Sequence, residues 1–181
     1  MVLENHFWVG SLCYAGAQSR DPFFPDSVVA SSDVITLLED LGNKIPDRSW
    51  MLYLLELFNM QNMAIELNLI CEFSGTNNFW AIFSGTNQYR FTKLLPKAGH
   101  SYQRQIVMYA PASLIRYTVV DRSTGESEAF DLRLPKNISL QGANNFTGIE
   151  WWNKAGNTPF VPRFRVEISQ LMYGQSTNKD P

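Results

Sequence analysis

A carboxylate beside two indoles is the feature of this sequence best suited to chemistry. Residues 147–153 read Thr-Gly-Ile-Glu-Trp-Trp-Asn, and as a strand they place Glu150 and Trp152 on one face. Apolar surroundings raise the pKa of a glutamate and prepare it for general acid or base work. Alternatively, an indole face stacks on a sugar while a carboxylate accepts hydroxyl hydrogen bonds. A purely structural interpretation pairs Glu150 with Arg163 or Arg165 and packs Trp152 under a loop.

Other familiar kinds of site are missing from the sequence. Its two histidines, His6 and His100, do not stand at a spacing from cysteine or carboxylate that suggests zinc. There is no Gly-x-Ser-x-Gly elbow, no phosphate-binding loop and no dinucleotide glycine pattern. Cys13 has no activating neighbour, so we expect it to be buried or in a disulfide with Cys71. We therefore expect no metal and no cofactor.

The composition favours a folded protein with a substantial core. Apolar residues make up 45% of the 181 residues and aromatic residues 13%, which argues against disorder. Charged residues are sparse at 18% and the formal net charge is −2, so we expect no nucleic-acid partner. No run approaches the roughly 18 apolar residues that cross a bilayer. No signal peptide is visible, so the compartment stays open, and secretion would require that a leader was removed.

Alternation of apolar and polar residues indicates β-strands along most of the chain. From Met63 to Phe73 every second residue is apolar, which predicts a long strand with one face in a core. The same period recurs over 115–119, 130–134 and 164–168, and 121–126 reads as a hairpin loop in which glycine supplies a positive φ. These patterns predict an all-β fold, with two antiparallel sheets packed as a sandwich or jelly roll.

The predicted sandwich forms one domain over residues 1–181, with a loose tail at 174–181. One short helix is expected near residues 33–41, because apolar residues recur there at helical spacing between a serine cap and a glycine. The segment 50–58 could be helical by composition, but the turn residues that follow it favour a strand.

The second two-thirds of the chain resembles a known family. Glu150-Trp151, then Gly156 and the stretch Phe160–Ile168, are similar to the last strands of the glutamic peptidases (eqolisins), which are concanavalin-like sandwiches. The hairpin from Tyr102 to Phe130 resembles the family's long hairpin with a Thr-Gly turn, and Met60-Gln61 falls where the family carries Leu-Gln-Thr-Gly. The chain departs from the family after Glu-Trp, where Trp-Asn-Lys replaces an acidic stretch. The resemblance covers roughly residues 60–173.

This resemblance implies direct hydrolysis of a peptide without a cofactor. Glu150 matches the catalytic glutamate, which would act as general base on a water and then as acid to the leaving amine. Gln61 matches the catalytic glutamine, whose amide would hydrogen-bond the tetrahedral oxyanion.

Two other functions stay open on the sequence alone. A lectin-like module would bind a glycan by stacking, and Trp80, Trp152 and Tyr89 are the candidate ligand-binding rings. A sandwich can also enclose an apolar pocket for a small hydrophobic ligand. All three functions use one architecture, so the separation of Glu150 from Gln61 and the exposure of the aromatic rings must discriminate them.

Overall fold

The computed structural model describes residues 3–8, 12–19, 28–38, 49–59, 64–72, 78–84, 87–109, 112–135, 142–153 and 166–175. Strands occupy nearly all of these ranges. They are β1 (Leu3–Trp8), β2 (Leu12–Ser19), β3 (Val28–Leu37), β4 (Ser49–Asn59), β5 (Ala64–Glu72), β6 (Asn78–Ser84), β7 (Asn87–Arg90), β8 (Ser101–Tyr109), β9 (Leu114–Asp121), β10 (Ser127–Arg133), β11 (Gly142–Asn153) and β12 (Val166–Gln175).

The strands form two antiparallel sheets, which confirms the predicted fold class. One sheet has the order β10-β9-β8-β3-β12, and the other has the order β1-β2-β11-β4-β5-β6-β7. The two sheets are joined where Gly142 of β11 pairs with Val28 of β3. Among the described residues, no helix has the length and hydropathy that a membrane span needs.

A continuous hydrophobic core lies between the two sheets. The odd-numbered residues of β4 and β5, such as Tyr53, Leu55 and Leu67, pack in one cluster with residues of the other sheet such as Ile106 and Tyr117. All of these side chains are fully buried. Each buried aliphatic or aromatic side chain contributes about 1.5–3 kcal/mol, so this face of the seven-stranded sheet dominates the stability.

The opposite face of the seven-stranded sheet carries a second, smaller cluster. Ile70, Phe79 and Ala81 pack there with Leu52 and Phe83. These residues stand at the alternate positions of the same strands, so they point away from the inter-sheet core. We call the face that carries Leu52, Ile70 and Phe79 the outer face.

The predicted helix near residues 33–41 is wrong, because residues 33–37 belong to β3 and residues 39–41 lie outside the described residues. β3 lies between β8 and β12, and consecutive residues from Ser31 to Ile35 are all buried. A strand buried on both faces has no apolar-polar alternation, so its spacing can resemble that of a helix.

Two other expectations concern strand limits. Residues 50–58 form a strand within β4, as preferred from the sequence. β12 continues to Gln175, inside the predicted tail, and residues 176–181 lie outside the described residues.

Three described residues, Gly99, Ser113 and Gly125, have left-handed backbone, and two of them lie in the turns on either side of β9. Gly125, in the hairpin between β9 and β10, has φ 80°, which confirms the predicted role of glycine there. Ser113, before β9, has φ 48°, and its carbonyl accepts a hydrogen bond from the Leu134 N–H at 2.9 Å.

Candidate functional site

The strand register places Glu150 on the outer face. Glu150 of β11 lies opposite Leu52 of β4, and Leu52 lies opposite Ile70 of β5. Directly opposed residues share a face of a sheet, so Glu150 stands in one row with these two residues. Trp152 is two positions further along β11 and takes the same face. The side chains of Glu150 and Trp152 lie outside the described part of the structure.

Gln61, the predicted partner of Glu150, also lies outside the described residues. The last described residue before it, Asn59, pairs with Gly142 at the start of β11, and Glu150 is eight residues further along that strand. Eight residues of strand span about 26 Å. The position of Asn59 so far along the sheet from Glu150 does not favour the pairing of Glu150 with Gln61, which stays a prediction.

Two carboxylates and one amide stand together on the outer face, in β4 and β5. Glu56 pairs directly with Glu66 across the two strands. The Asn68 side-chain Nδ2 donates a hydrogen bond to Glu66 Oε2 at 2.6 Å. Asn68 is fully buried, Glu56 is 6% exposed and Glu66 is half-buried. We call Glu56, Glu66 and Asn68 the outer-face polar group.

Sequence reasoning did not select this polar group. Glu66 and Asn68 occupy the polar half of the alternation from Met63 to Phe73, and such positions are typical of a solvated face. The available signal was Glu56, a charged residue inside the most apolar segment of the chain. Buried charges are rare unless they are paired or hydrogen-bonded, so a carboxylate in such a segment indicates a specific polar environment.

The ladder between β4 and β5 is interrupted beside Asn68. Tyr53 pairs with Leu69, and Glu56 pairs with Glu66, but the register skips the residues between them. The Leu55 N–H donates instead to the Asn68 side-chain Oδ1 at 3.4 Å. The Asn68 amide is thus held at both ends, by a backbone N–H and by the Glu66 carboxylate.

The side chain of Arg104 reaches this interruption from the five-stranded sheet. It donates to the carbonyl oxygens of Tyr53 and Leu67 through Nη1, and to that of Leu54 through Nη2 at 3.1 Å. The Leu67 carbonyl would face Leu55 in a continuous ladder, and here it accepts from Arg104 at 3.2 Å. Arg104 therefore replaces part of the β4–β5 ladder.

Arg104 is paired with Asp33, which lies directly opposite it on β3. Arg104 Nε and Nη2 lie 2.9 and 2.6 Å from the two carboxylate oxygens of Asp33, and both side chains are fully buried. The Thr147 hydroxyl of β11 lies 2.7 Å from Asp33 Oδ2 and 3.0 Å from the Leu54 carbonyl oxygen. This network joins strands of both sheets, and we call Asp33, Arg104 and Thr147 the inter-sheet network.

Two of the predicted ligand-binding rings are packed between the sheets. Trp80 is fully buried, and its ring lies 5.0 Å from that of Tyr102. Tyr89 is half-buried, and its ring lies 4.9 Å from that of Phe130 in the other sheet. Trp80 therefore belongs to the core and offers no face to a ligand. Much of the Tyr89 ring is packed against the other sheet.

The two cysteines are also separated by the register. Cys13 of β2 pairs with Trp151, and Cys71 of β5 pairs with Met51, which itself lies opposite Trp151. Three strand spacings of about 4.8 Å separate the two cysteines, which is too far for a disulfide. Cys71 is instead buried in the core.

A second titratable pair lies away from the outer face, in the five-stranded sheet. His100 Nδ1 is 2.7 Å from Asp121 Oδ2. Burial would raise the pKa of Asp121, but its hydrogen bonds with His100 and with the backbone N–H groups of Ser123 and Thr124 outweigh burial and hold the pKa below its ordinary value. In the described part of the chain, no three His, Cys, Asp or Glu side chains come together in a way that could hold a metal ion.

No family model matches the sequence, and no curated protein matches it. Among solved structures, the chain is similar to scytalido-glutamic peptidase bound to a transition-state analogue inhibitor, with a TM-score of 0.64 and 13% identity over 96% of this chain and 82% of that one. It is similar to SCP-B, an eqolisin-family peptidase in a complex with the tripeptide Ala-Ile-His, with a TM-score of 0.51 and 12% identity over 82% and 65%. The similarity to the lectin UEA-II complexed with galactose is lower, with a TM-score of 0.45 and 11% identity over 81% of this chain and 76% of that one. The fold is therefore that of the glutamic peptidases, as the sequence resemblance implies.

Proposed function

We propose that this chain is a glutamic-peptidase-like hydrolase that cleaves peptides on the outer face of the seven-stranded sheet. The observation that carries the proposal is the position of Glu150. It lies on a central strand, in register with Leu52 and Ile70 on the outer face, in a fold that matches scytalido-glutamic peptidase over 96% of the chain. In this proposal an extended peptide lies along the outer face, beside Glu150 and Leu52.

Glu150 would act first as a general base and then as a general acid. Its ionised carboxylate accepts a proton from a water molecule, whose oxygen attacks the carbonyl carbon of the peptide. The same carboxyl group then gives the proton to the amine nitrogen as the C–N bond breaks. General acid–base catalysis of this kind contributes roughly 10²–10⁴-fold to the rate.

A side-chain amide would donate a hydrogen bond to the oxyanion of the tetrahedral intermediate. Gln61 is the residue that the family resemblance assigns to this role. A neutral amide suits the task, because it donates without depending on a protonation state. Loss of one such donor typically reduces kcat about 10²–10³-fold.

The test is a peptidase assay at acid pH with a denatured protein substrate and mass spectrometry of the fragments. Glu150→Gln is close in size to the native side chain but cannot take up a proton, so we expect its kcat to fall at least about 100-fold. Gln61→Ala should lose a similar factor if its amide binds the oxyanion. The matched control is Glu126→Gln, at an exposed residue of the β9–β10 hairpin, which should keep the wild-type rate.

Wild-type protein that cleaves no bond between pH 3 and 7, or a Glu150→Gln variant with the wild-type rate, would refute the proposal. If the wild type and Glu150→Gln both bind a glycan and neither cleaves a peptide, the result would favour the lectin-like function instead. An enclosed ligand pocket has little support, because the described side chains between the sheets belong to one continuous core.

A further inference from the structure

The inter-sheet network joins the two sheets through a buried ion pair, whose desolvation is unfavourable. Arg104 and Asp33 are fully buried, and removing two charges from water is strongly unfavourable before their mutual attraction is counted. Apolar residues of similar volume often stabilise such a position equally well or better. The network also changes the hydrogen bonding of the strands around it, because Arg104 donates to three carbonyl oxygens of β4 and β5.

The network changes the partner of one backbone N–H. In a continuous β4–β5 ladder Leu55 and Leu67 would face each other, but the Leu67 carbonyl accepts from Arg104. The Leu55 N–H therefore donates to the side chain of Asn68. An asparagine amide that accepts through Oδ1 has a fixed orientation, and its Nδ2 then donates to the Glu66 carboxylate at 2.6 Å.

The residues fixed in this way stand on the face that carries Glu150. Asn68 and Glu66 lie two and four positions along β5 from Ile70, the residue in the Glu150 row. These offsets are about 7 and 13 Å along the strand. Ile70 is itself two strand spacings, about 10 Å, from Glu150, so Glu66 lies about 16 Å from Glu150 across this face. An extended peptide whose scissile bond lies at Glu150 reaches that distance within about five residues, so a carboxylate there can accept hydrogen bonds from substrate N–H groups.

We infer that Arg104 is a positioning residue of the peptide-binding face: by occupying the Leu67 carbonyl it fixes the Asn68 amide, and through it the Glu66 carboxylate, at a subsite for the substrate. The effect on hydrolysis rests on the proposed function, whereas the effect on Asn68 does not. Glu66 stands away from the reacting atoms, so its orientation influences substrate binding more than the chemical step.

The first variant is the double substitution Asp33→Val with Arg104→Met, which removes both charges together. The Leu55 N–H and the Leu67 carbonyl can then pair, and Asn68 is released. We expect the Asn68 side-chain N–H protons to exchange with solvent at least about tenfold faster by NMR, while the Leu55 amide stays protected. In the peptidase assay KM should rise about tenfold with kcat within about twofold, which is the effect of one lost hydrogen bond to a charged group.

A thermodynamic cycle tests whether Arg104 acts through Asn68. Asn68→Ala alone should raise KM by the same factor as the double substitution, and adding it to the double substitution should produce no further rise. A purely structural role predicts that the two effects add. The matched control is Arg116→Met with Asp131→Val, a cross-strand pair of the same residue types on the surface, which should change neither KM nor Asn68 exchange.

Several results would overturn the inference. They are unchanged Asn68 exchange in the double variant, an unchanged KM, or additive effects in the cycle. If the double variant does not fold, Arg104→Lys keeps the charge opposite Asp33 but lacks the planar fork that reaches several carbonyls, and Asn68 exchange must then accelerate. If the wild-type protein cleaves no peptide, the proposed function fails, and Asn68 exchange still decides the positioning role.

Discussion

Two Arg–Asp pairs of this protein have nearly the same geometry and opposite environments. Asp33 and Arg104 are direct partners across β3 and β8, and Arg116 and Asp131 are direct partners across β9 and β10. Each arginine reaches both carboxylate oxygens, at 2.9 and 2.6 Å in the first pair and at 2.7 Å for both contacts in the second. The first pair is fully buried, whereas the side chains of the second are 48% and 41% exposed.

The difference shows that contact distances do not determine what an ion pair contributes. In the exposed pair the hydrogen bond with Asp131 raises the pKa of Arg116, and the bond with Arg116 lowers the pKa of Asp131, but water solvates either charge when the pair opens. In the buried pair neither charge has that alternative. Arg104 instead needs the carbonyl oxygens of β4 and β5, so it influences the backbone around it.

The largest effect is expected when one partner of the buried pair is removed. Arg104→Met leaves the Asp33 carboxylate buried without its cation, and we expect the free energy of unfolding to fall by about 3–5 kcal/mol in urea denaturation. Removing Asp33 as well, in the double variant described above, should restore most of that loss. A double variant that is no more stable than Arg104→Met alone would contradict this account of the buried pair.

A smaller loss of stability is expected when a carboxylate whose partners are backbone N–H groups, and not an arginine, is removed. Glu128 of β10 accepts from the backbone N–H groups of Thr92, Lys93 and Leu94 at 3.2, 2.9 and 2.8 Å. Glu128→Ala should lower the free energy of unfolding by about 1–3 kcal/mol and increase the amide exchange of these residues. Glu126→Ala, at the adjacent hairpin, is the control. An equal effect of the two substitutions would show that the three contacts contribute nothing.

Asp121, paired with a histidine, should produce a pH dependence of stability. The pKa of Asp121 is lower in the folded chain than in the unfolded one. Its contribution to the free energy of unfolding is therefore present above about pH 3.9, the ordinary pKa of an aspartate, and is lost as the pH falls through the folded pKa. Asp121→Asn should therefore flatten the acid limb of stability measured against pH by thermal unfolding. An acid limb of unchanged slope would show that other carboxylates cause it.

The smallest effect is expected for the exposed pair. Arg116→Ala should shift the unfolding midpoint only slightly, because solvent and salt screen the two charges. The shift should disappear in concentrated salt, whereas that of Arg104→Met should persist. If Arg116→Ala shifted the unfolding midpoint as much as Arg104→Met does, the exposed and buried pairs would contribute equally to stability, which contradicts this account.

The fold was more predictable from the sequence than the site. β5 follows from the alternation between Met63 and Phe73, because one of its faces packs in the core and the other carries polar residues. β3 was not predictable in this way, because it is buried on both faces and its polar Asp33 is explained by Arg104 and Thr147, which follow it by 71 and 114 residues. The outer-face polar group was missed for a related reason. The cross-strand pairing of Glu56 with Glu66 depends on a register that composition does not reveal.

The position of β3 also bears on how the chain folds during synthesis. β3 is made early, yet one of its two neighbours is β12, the last described strand, and β2 likewise pairs with β11. Pairings between distant parts of a chain form slowly, because a long loop must close before any contact is gained. Until the C-terminal region leaves the ribosome, the backbone edge of β3 that β12 will cover has no partner, and unpaired edges promote aggregation. Premature termination before β12 should therefore yield chains that aggregate, even though every strand of the outer face is already present.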